Sequence, residues 1–347
     1  WAWWPWKKIG TISGPVIVQK PAGYQAILNY WNNAGPRPAT NVALASLLQL
    51  AQATRLENCV VHPDVIDALI RPETQGQTVP FRSHTVPGVI YAVAYDMGRP
   101  GEAYLDQTTN NPHNTGNIYR NDSVDIEVCS DGAPTLGYDV GWLDAGDWMK
   151  YTVAIPAGPF SIAPRVAANA AGGSFYVEVG GSNVSGIINV PNTGGWQTWA
   201  TLAPRNFTNA TAASSLRVVI NAGGFNLHWL QINSLLPAAP ANLTGTASNT
   251  EVTLRWHSVP GATGYRVKRA TSSGGVYTTI ATNAPATNHV DVTVTNGVTF
   301  YYIITTLNAY GESAPSNMAS VPVPFPKLTA QAGAANVKLV CPTPPVR

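Results

Sequence analysis

Two glycine-flanked words hold the residues best suited to chemistry. The first is Asn189 to Trp199, N-V-P-N-T-G-G-W-Q-T-W; the second is Gly223 to Trp229, G-G-F-N-L-H-W. Each sets a Trp or an Asn beside a glycine pair, between two strand-like runs. Glycine lets the backbone turn sharply and leaves the neighbouring side chain uncovered. A flat aromatic standing clear at a loop, with a planar amide nearby, suits a sugar. The ring face covers apolar C–H groups and the amide meets hydroxyls. The chemistry expected of Trp196 and Asn226 is recognition of a neutral glycan.

Other chemistries are poorly served. The six histidines are scattered, and no H-E-x-x-H, G-x-S-x-G or P-loop occurs. Retaining glycoside hydrolysis needs two carboxylates about 5–5.5 Å apart. Asp144/Asp147 and Asp122/Asp125 are close in sequence, but they sit in words that read as structural. Cys59, Cys129 and Cys341 lie far apart without metal spacing. A Cys59–Cys129 disulfide and free buried thiols both stay open.

Composition narrows the partners. Charged residues are 11% of the 347, with a net charge of +2 and no dense Lys/Arg cluster. An average soluble chain carries roughly 25%. Neither nucleic acid nor an anionic membrane is expected as a partner, and no apolar run is long enough to span a bilayer. Abundant Gly, Pro, Thr, Asn and Trp suit a secreted, β-rich protein that handles neutral ligands. The chain opens inside an aromatic cluster, W-A-W-W-P-W, without an initiator Met, and reads as a fragment or processed product.

The elements that must position Trp196 and Asn226 follow from periodicity. Residues 1–85 are the helical part. Thr40 is a candidate N-cap, followed by a Leu44, Leu47, Leu48, Ala51 stripe at helical spacing. Tyr24–Trp31 and His62–Ile70 read as further helices, and Pro15–Gln19 as a short extended stretch. Such helices cannot close a core alone, so their apolar faces need a partner outside the segment. From about Pro87 the period becomes two. Ser123–Val128, Trp148–Ile155, Ser174–Val179, Leu216–Ile220 and Asn226–Ile232 alternate between Gly/Asn/Pro turns, which predicts an all-β sandwich. A Pro/Ala linker, Pro237–Pro240, follows.

Beyond the linker, Val252, Leu254 and Trp256, then Tyr265 and Val267, then Phe300, Tyr302 and Ile304 alternate. This stretch resembles a fibronectin type III sandwich. Phe300 stands where that family often carries its corner Tyr, so the corner hydroxyl bond is expected to be absent. Leu328–Cys341 aligns without gaps to Leu243–Trp256, an internal repeat. It reads as the first two strands of a second such domain, and two strands do not fold alone.

The middle region, about Val86 to Leu235, resembles a family 6 carbohydrate-binding module. The words that carry this are Ala103-Tyr-Leu-Asp106, Tyr119-Arg120, Val124-Asp-Ile-Glu127, Gly137-Tyr-Asp-Val-Gly-Trp142, Gly146-Asp-Trp148, Tyr151-Thr-Val153 and the two glycine-flanked runs. The resemblance implies a cleft between loops at one end of a sandwich. There a Tyr and a Trp hold one sugar ring while an Asn bonds it; by position these are Tyr119, Trp196 and Asn226. Trp142, Trp148, Trp199 and Trp229 are expected in the core, and Arg120 in a structural ion pair. The family often binds a structural calcium through an acidic opening strand. Here Tyr91 and Val93 replace the carboxylates and only Asp96 remains. A structural calcium is therefore left open but poorly supported, and no other cofactor is expected.

The first 85 residues resemble the carboxyl end of a family 5 glycoside hydrolase, a (β/α)8 barrel, through W-A-W-W-P-W-K-K, Y-Q-A-I-L-N-Y-W and D-V-I-D-A-L-I-R-P. The resemblance implies that Trp3 or Trp4 lines a sugar subsite at the barrel's carboxyl edge; plain barrel packing is the other reading. Trp4 joins the candidate binding residues.

The expected fold is mainly β. It comprises a barrel remnant (1–85), a jelly-roll carbohydrate-binding sandwich (86–235), a fibronectin type III sandwich (236–325) and the start of another (326–347). The expected function is β-glycan binding that holds a secreted modular glycoside hydrolase near its substrate, the catalytic carboxylates lying outside this chain. The competing reading is an adhesive surface protein that assembles through its sandwiches.

Overall fold

The computed structural model describes residues 6–10, 14–70, 77–108, 119–120, 122–132, 134, 136–283, 285–326, 329–331 and 338–340. Contacts divide the chain into two compact units that meet at Asn233/Ser234. Each is described separately.

The first unit opens with β1 (Lys7–Ile9), β2 (Val16–Val18), α1 (Ala22–Trp31), α2 (Thr40–Ala53), β3 (Val60–Val61) and α3 (Pro63–Ile70). β1 and β2 run parallel, and β3 closes the small sheet antiparallel to β2. β2 is fully buried. Thr40 is the first helical residue of α2; Ala39, extended at φ −60° and ψ 146°, holds the cap position with no side-chain bond. Its carbonyl already accepts from Ala43 N at 2.9 Å, which is the cap's backbone role. The leucine stripe of α2 faces solvent, with Leu48 60% exposed. α2 instead meets α1 where Ser46 lies on Gly23; a Cβ at Gly23 would sit 2.2 Å from Ser46 Oγ. No helix among the described residues is long and apolar enough to cross a membrane.

A β-sandwich follows. Its strands are β4 (Gly88–Tyr91), β5 (Tyr104–Leu105), β6 (Ile126–Val128), β7 (Tyr138–Val140), β8 (Trp148–Ile155), β9 (Gly158–Ala168), β10 (Ser174–Val179), β11 (Ser182–Asn183), β12 (Ile188–Asn189), β13 (Gly195–Thr201), β14 (Arg205–Asn209), β15 (Ala213–Ala222) and β16 (Asn226–Ser234). One sheet runs β11-β10-β15-β8-β5, with β12 on β10. The other runs β13-β9-β16-β7-β6, with β14 on β9 and β4 on β16. Alternation explains the layers. Met149, Tyr151, Val153 and Ile155 of β8 face in, as do Leu216, Val218 and Ile220 of β15. Phe175 stacks on Phe225 at 5.4 Å, and the buried Tyr151 hydroxyl donates to Ala92 O at 2.8 Å.

The second unit is also a sandwich. One sheet joins β17 (Thr244–Ala247), β18 (Val252–Arg255) and β21 (Asn288–Asp291). The other joins β19 (Gly264–Ala270), β20 (Thr278–Asn283), β22 (Thr299–Asn308), β23 (Gly311–Glu312) and β24 (Ala319–Pro322). Trp256, Tyr265, Tyr302 and Ile304 share its core. Phe300 has no hydroxyl to give; two residues on, Tyr302 donates to Asp291 Oδ2 at 2.9 Å inside the core. The internal repeat appears as β25 (Thr329–Gln331) and β26 (Lys338–Val340). Their pairs, Thr329↔Val340 and Ala330↔Leu339, reproduce Thr244↔Arg255 and Gly245↔Leu254 in the same register.

Candidate functional site

At one end of the first unit's sandwich lies a cleft of about 370 Å³, lined by Thr108, Glu127, Trp142, Leu143, Asp144, Trp196, Gly224, Phe225 and Asn226. Five segments build it: the stretch after β5, strand β6, the β7–β8 turn, the β15–β16 turn against it, and the start of β13. Two glycines let the turns approach. A Cβ at Gly223 would sit 1.9 Å from Leu143 O, so only glycine fits there. A Cβ at Gly141 would sit 3.0 Å from Asn226 Oδ1.

Two indoles stand at this cleft, Trp142 at 45% and Trp196 at 49% exposed. Trp142 has φ +45°. A bulky residue in the left-handed region costs of order 1–3 kcal/mol and persists where the surroundings over-determine it, often at ligand clamps. The other aromatics differ. Trp148 is half-buried under Arg217, whose guanidinium lies 5.0 Å from its ring centre. Trp199 is half-buried against His228 at 5.3 Å, and Trp229 is half-buried on β16. None of the four tryptophans expected in the core is fully buried, and Trp142 is the one turned into the cleft.

Asn226 is buried at the cleft floor. Its Nδ2 donates to Glu127 Oε1 at 2.5 Å and to Trp196 O at 2.8 Å. Two acceptors around one nitrogen fix which end of the amide is which. Glu127 Oε1 also accepts from Gln197 Nε2 at 2.9 Å, and that nitrogen donates to Asp139 Oδ1 at 3.1 Å. Asp139 is fully buried. Burial pushes its pKa up to about 7, with the neighbouring Glu127 charge adding to the rise and the Gln197 bond opposing it.

Of the four residues expected to bind sugar, the fold brings Trp196 and Asn226 together in this cleft. Among the described residues, those lining it do not include Tyr119. Its ring lies between Tyr138 at 5.0 Å and Phe81 at 5.4 Å, and burial raises its hydroxyl pKa. Besides Phe225, the aromatic residue that lines the cleft with Trp196 is Trp142. Trp4, like Trp3, lies outside the described residues. Sequence reasoning missed Trp142 although its signal was present: Gly141-Trp142 has the same glycine-then-Trp form as Gly195-Trp196. Glu127 was missed because it reads as an ordinary polar strand position.

Nearby charges are structural. Arg120 is fully buried, pairs with Asp122 at 2.8 Å and lies over the Tyr95 ring at 3.6 Å. Asp147 accepts from the backbone N–H groups of Asp144 and Gln107 at 2.7 and 2.9 Å. Asp96, the remnant of the acidic opening strand, accepts from Thr152 N, Thr152 Oγ1 and Thr78 Oγ1 at 2.7–2.8 Å. Asp131 takes a two-pronged Arg165 bond at 2.6 and 2.8 Å and a His228 bond at 2.9 Å. Arg165 foremost holds its pKa down at about 2. Cys59 and Cys129 are free thiols, and burial pushes the Cys129 thiol up to about 12. Cys341 lies outside the described residues. No cluster of three or more His, Cys, Asp or Glu able to hold a metal occurs among the described residues.

Residues 115–234 match the family model for carbohydrate binding module (family 6). A carbohydrate-binding module from Cellvibrio mixtus lichenase 5A, solved in complex with cellotriose, is 33% identical; the match covers 43% of this chain and 98% of that one, with a TM-score of 0.32. A Fn3-like protein from Clostridium thermocellum is 39% identical over 27% of this chain and 97% of that one, with a TM-score of 0.24. An amylopullulanase from Thermoanaerobacterium saccharolyticum is 35% identical over 88 residues, which are 25% of this chain and 7% of that enzyme. The chain spans only 4–15% of the length of the curated relatives it matches. The chain thus contains a family 6 carbohydrate-binding module. Its fold is mainly β, with that module and a fibronectin type III-like sandwich in one chain.

Proposed function

We propose that the cleft binds a β-glycan by holding one sugar ring between Trp142 and Trp196. Asn226 and Glu127 meet its hydroxyls from the floor. The observation that carries this reading is the pair of exposed indoles, one on the β7–β8 turn and one at the start of β13, beside a buried amide and a half-buried carboxylate that line the same cleft. Aromatic faces supply contact area at low entropic cost, and a carboxylate with one engaged oxygen keeps acceptor capacity for a diol. By analogy with base stacking, each indole contributes roughly 1–3 kcal/mol. Affinity then falls between millimolar and micromolar, about −4 to −8 kcal/mol.

Within a larger secreted hydrolase the module acts by tethering, which raises the local concentration of polysaccharide at the enzyme. The relation to an amylopullulanase supports a glycoside-hydrolase setting. The parallel β1–β2 pair and the bare leucine stripe of α2 support reading residues 1–85 as the edge of a larger barrel. Titrating the chain with soluble mixed-linkage β-glucan and xylan tests the proposal. Binding that Trp196→Ala removes supports it; no heat with either polymer counts against it.

A further inference from the structure

Beneath the cleft lies a polar cluster in which Gln197 and Asp139 are left without a part in sugar contact. Strand β13 leaves its ladder where it matters: Gly195 pairs with Ala168 and Trp199 with the adjacent Ala167, so Trp196, Gln197 and Thr198 stand outside the register. A segment out of register has no sheet partner to fix its direction. Side chains hold it instead. Trp196 O accepts from Asn226 Nδ2. Gln197 spends its whole amide inward: Nε2 donates to Glu127 Oε1 and Asp139 Oδ1, while Oε1 accepts from Ser130 N at 2.8 Å and Trp199 Nε1 at 3.3 Å. Its two acceptors face each other across β6 and β7, where Glu127 pairs with Asp139 in register.

We propose that Gln197 is the positioning residue of the cleft: bridging Glu127 and Asp139, it fixes the ladder break that aims Trp196 and, through Glu127, orients Asn226. Its binding readout rests on the glycan reading above; its spectroscopic readout does not. The bridge demands an uncharged hydrogen-bond donor at position 197. Asp139 is faced by Glu127 from β6, by Cys129 just beyond it and by Gln197 from β13; Asp131 lies further off, paired with Arg165 of β9 and His228 of β16. Among the described residues no Lys or Arg forms an ion pair with Glu127 or Asp139. A third carboxylate at position 197 would therefore meet uncompensated negative charge.

The test uses the full chain labelled with 5-fluorotryptophan, the Trp196 resonance being assigned with Trp196→Phe. In Gln197→Leu the ¹⁹F signal of Trp196 shifts or broadens without any glycan present. Affinity for soluble mixed-linkage β-glucan falls at least tenfold, and the melting temperature stays within a few degrees. Gln197→Glu gives a readout that general weakening of the fold would not: its neutral carboxyl donates to the acid pair at pH 5, and its anion repels that pair at pH 8. The Trp196 signal is near that of the wild type at pH 5 and displaced at pH 8, and affinity relative to the wild type drops at least tenfold between them. This second variant decides the matter if Gln197→Leu does not fold. Wild-type Trp196 signals in both variants at both pH values overturn the inference, and so does unchanged affinity where the wild type binds. If the wild type binds no β-glucan, the glycan reading fails and the ¹⁹F signal alone decides the positioning role.

Discussion

Trp196 and Trp142 both line the cleft with exposed rings, and each is held there differently. Trp196 sits in a segment out of register held by Asn226 and Gln197; Trp142 holds a left-handed backbone conformation at φ +45°. Trp196→Ala and Trp142→Ala are each expected to weaken binding about 10- to 100-fold, roughly 1–3 kcal/mol. Calorimetric titration beside thermal melts checks this; a collapsed fold would show a role in packing instead. The floor adds a pH effect. Asp139 titrates near pH 7 in the folded chain, against about 3.9 when unfolded. Between those values the folded state binds the extra proton, so the contribution of Asp139 to stability is greatest below about pH 4 and is lost as pH rises to 7. The cost of ionising it there is on the order of 4 kcal/mol. Asp139→Asn is expected to raise stability at pH 8 by about 1–2 kcal/mol, because an imperfectly paired amide offsets part of the gain. Urea unfolding at pH 5 and pH 8 measures this, and an unchanged difference between the two pH values would contradict it.

Two turns and one polar tie set the cleft at the level of elements. Gly223 lets the β15–β16 turn lie on the carbonyl of Leu143. Gly223→Ala is expected to destabilise the fold by several kcal/mol or to open the cleft, read as a lower melting temperature together with lost affinity; wild-type values for both would mean the turns move apart freely. Asp131 ties β9 to β16 through Arg165 and His228. Its pKa of about 2 means that this tie stabilises the fold above about pH 4 and is lost as pH falls through 2. Arg165→Met, which strands the acid, is expected to cost about 1–3 kcal/mol at pH 7 and less at pH 2; equal losses at both pH values would point to packing alone. Strands were legible because β8 and β15 alternate cleanly, and the repeat was legible down to its register. The cleft was half legible. Glycine-flanked Trp196 and Asn226 announced themselves locally, whereas Tyr119 is adjacent to nothing in sequence that reveals its packing on Tyr138 and Phe81. Glu127, Gln197 and Asp139 meet only through strand pairing, so no local spacing could show their cluster.

Taken as a molecule, the chain joins a sugar-binding sandwich to a fibronectin type III-like one, with a repeat of the latter's first strand pair. Such an arrangement suits the tethering proposed above, in which modest affinity would suffice for an enzyme carried on the same chain. The competing reading, an adhesive protein assembling through its sandwiches, would show as concentration-dependent oligomers without glycan affinity in sedimentation velocity; a monomer whose sedimentation shifts with β-glucan fits the tethering account. The central claim is that one cleft with two indole walls binds β-glycan. It is tested most directly by isothermal titration of the chain and of its Trp142→Ala/Trp196→Ala double variant with soluble mixed-linkage β-glucan. The account predicts saturable binding of micromolar to millimolar affinity, about −4 to −8 kcal/mol, that disappears in a folded double variant. Equal binding by both proteins would contradict it.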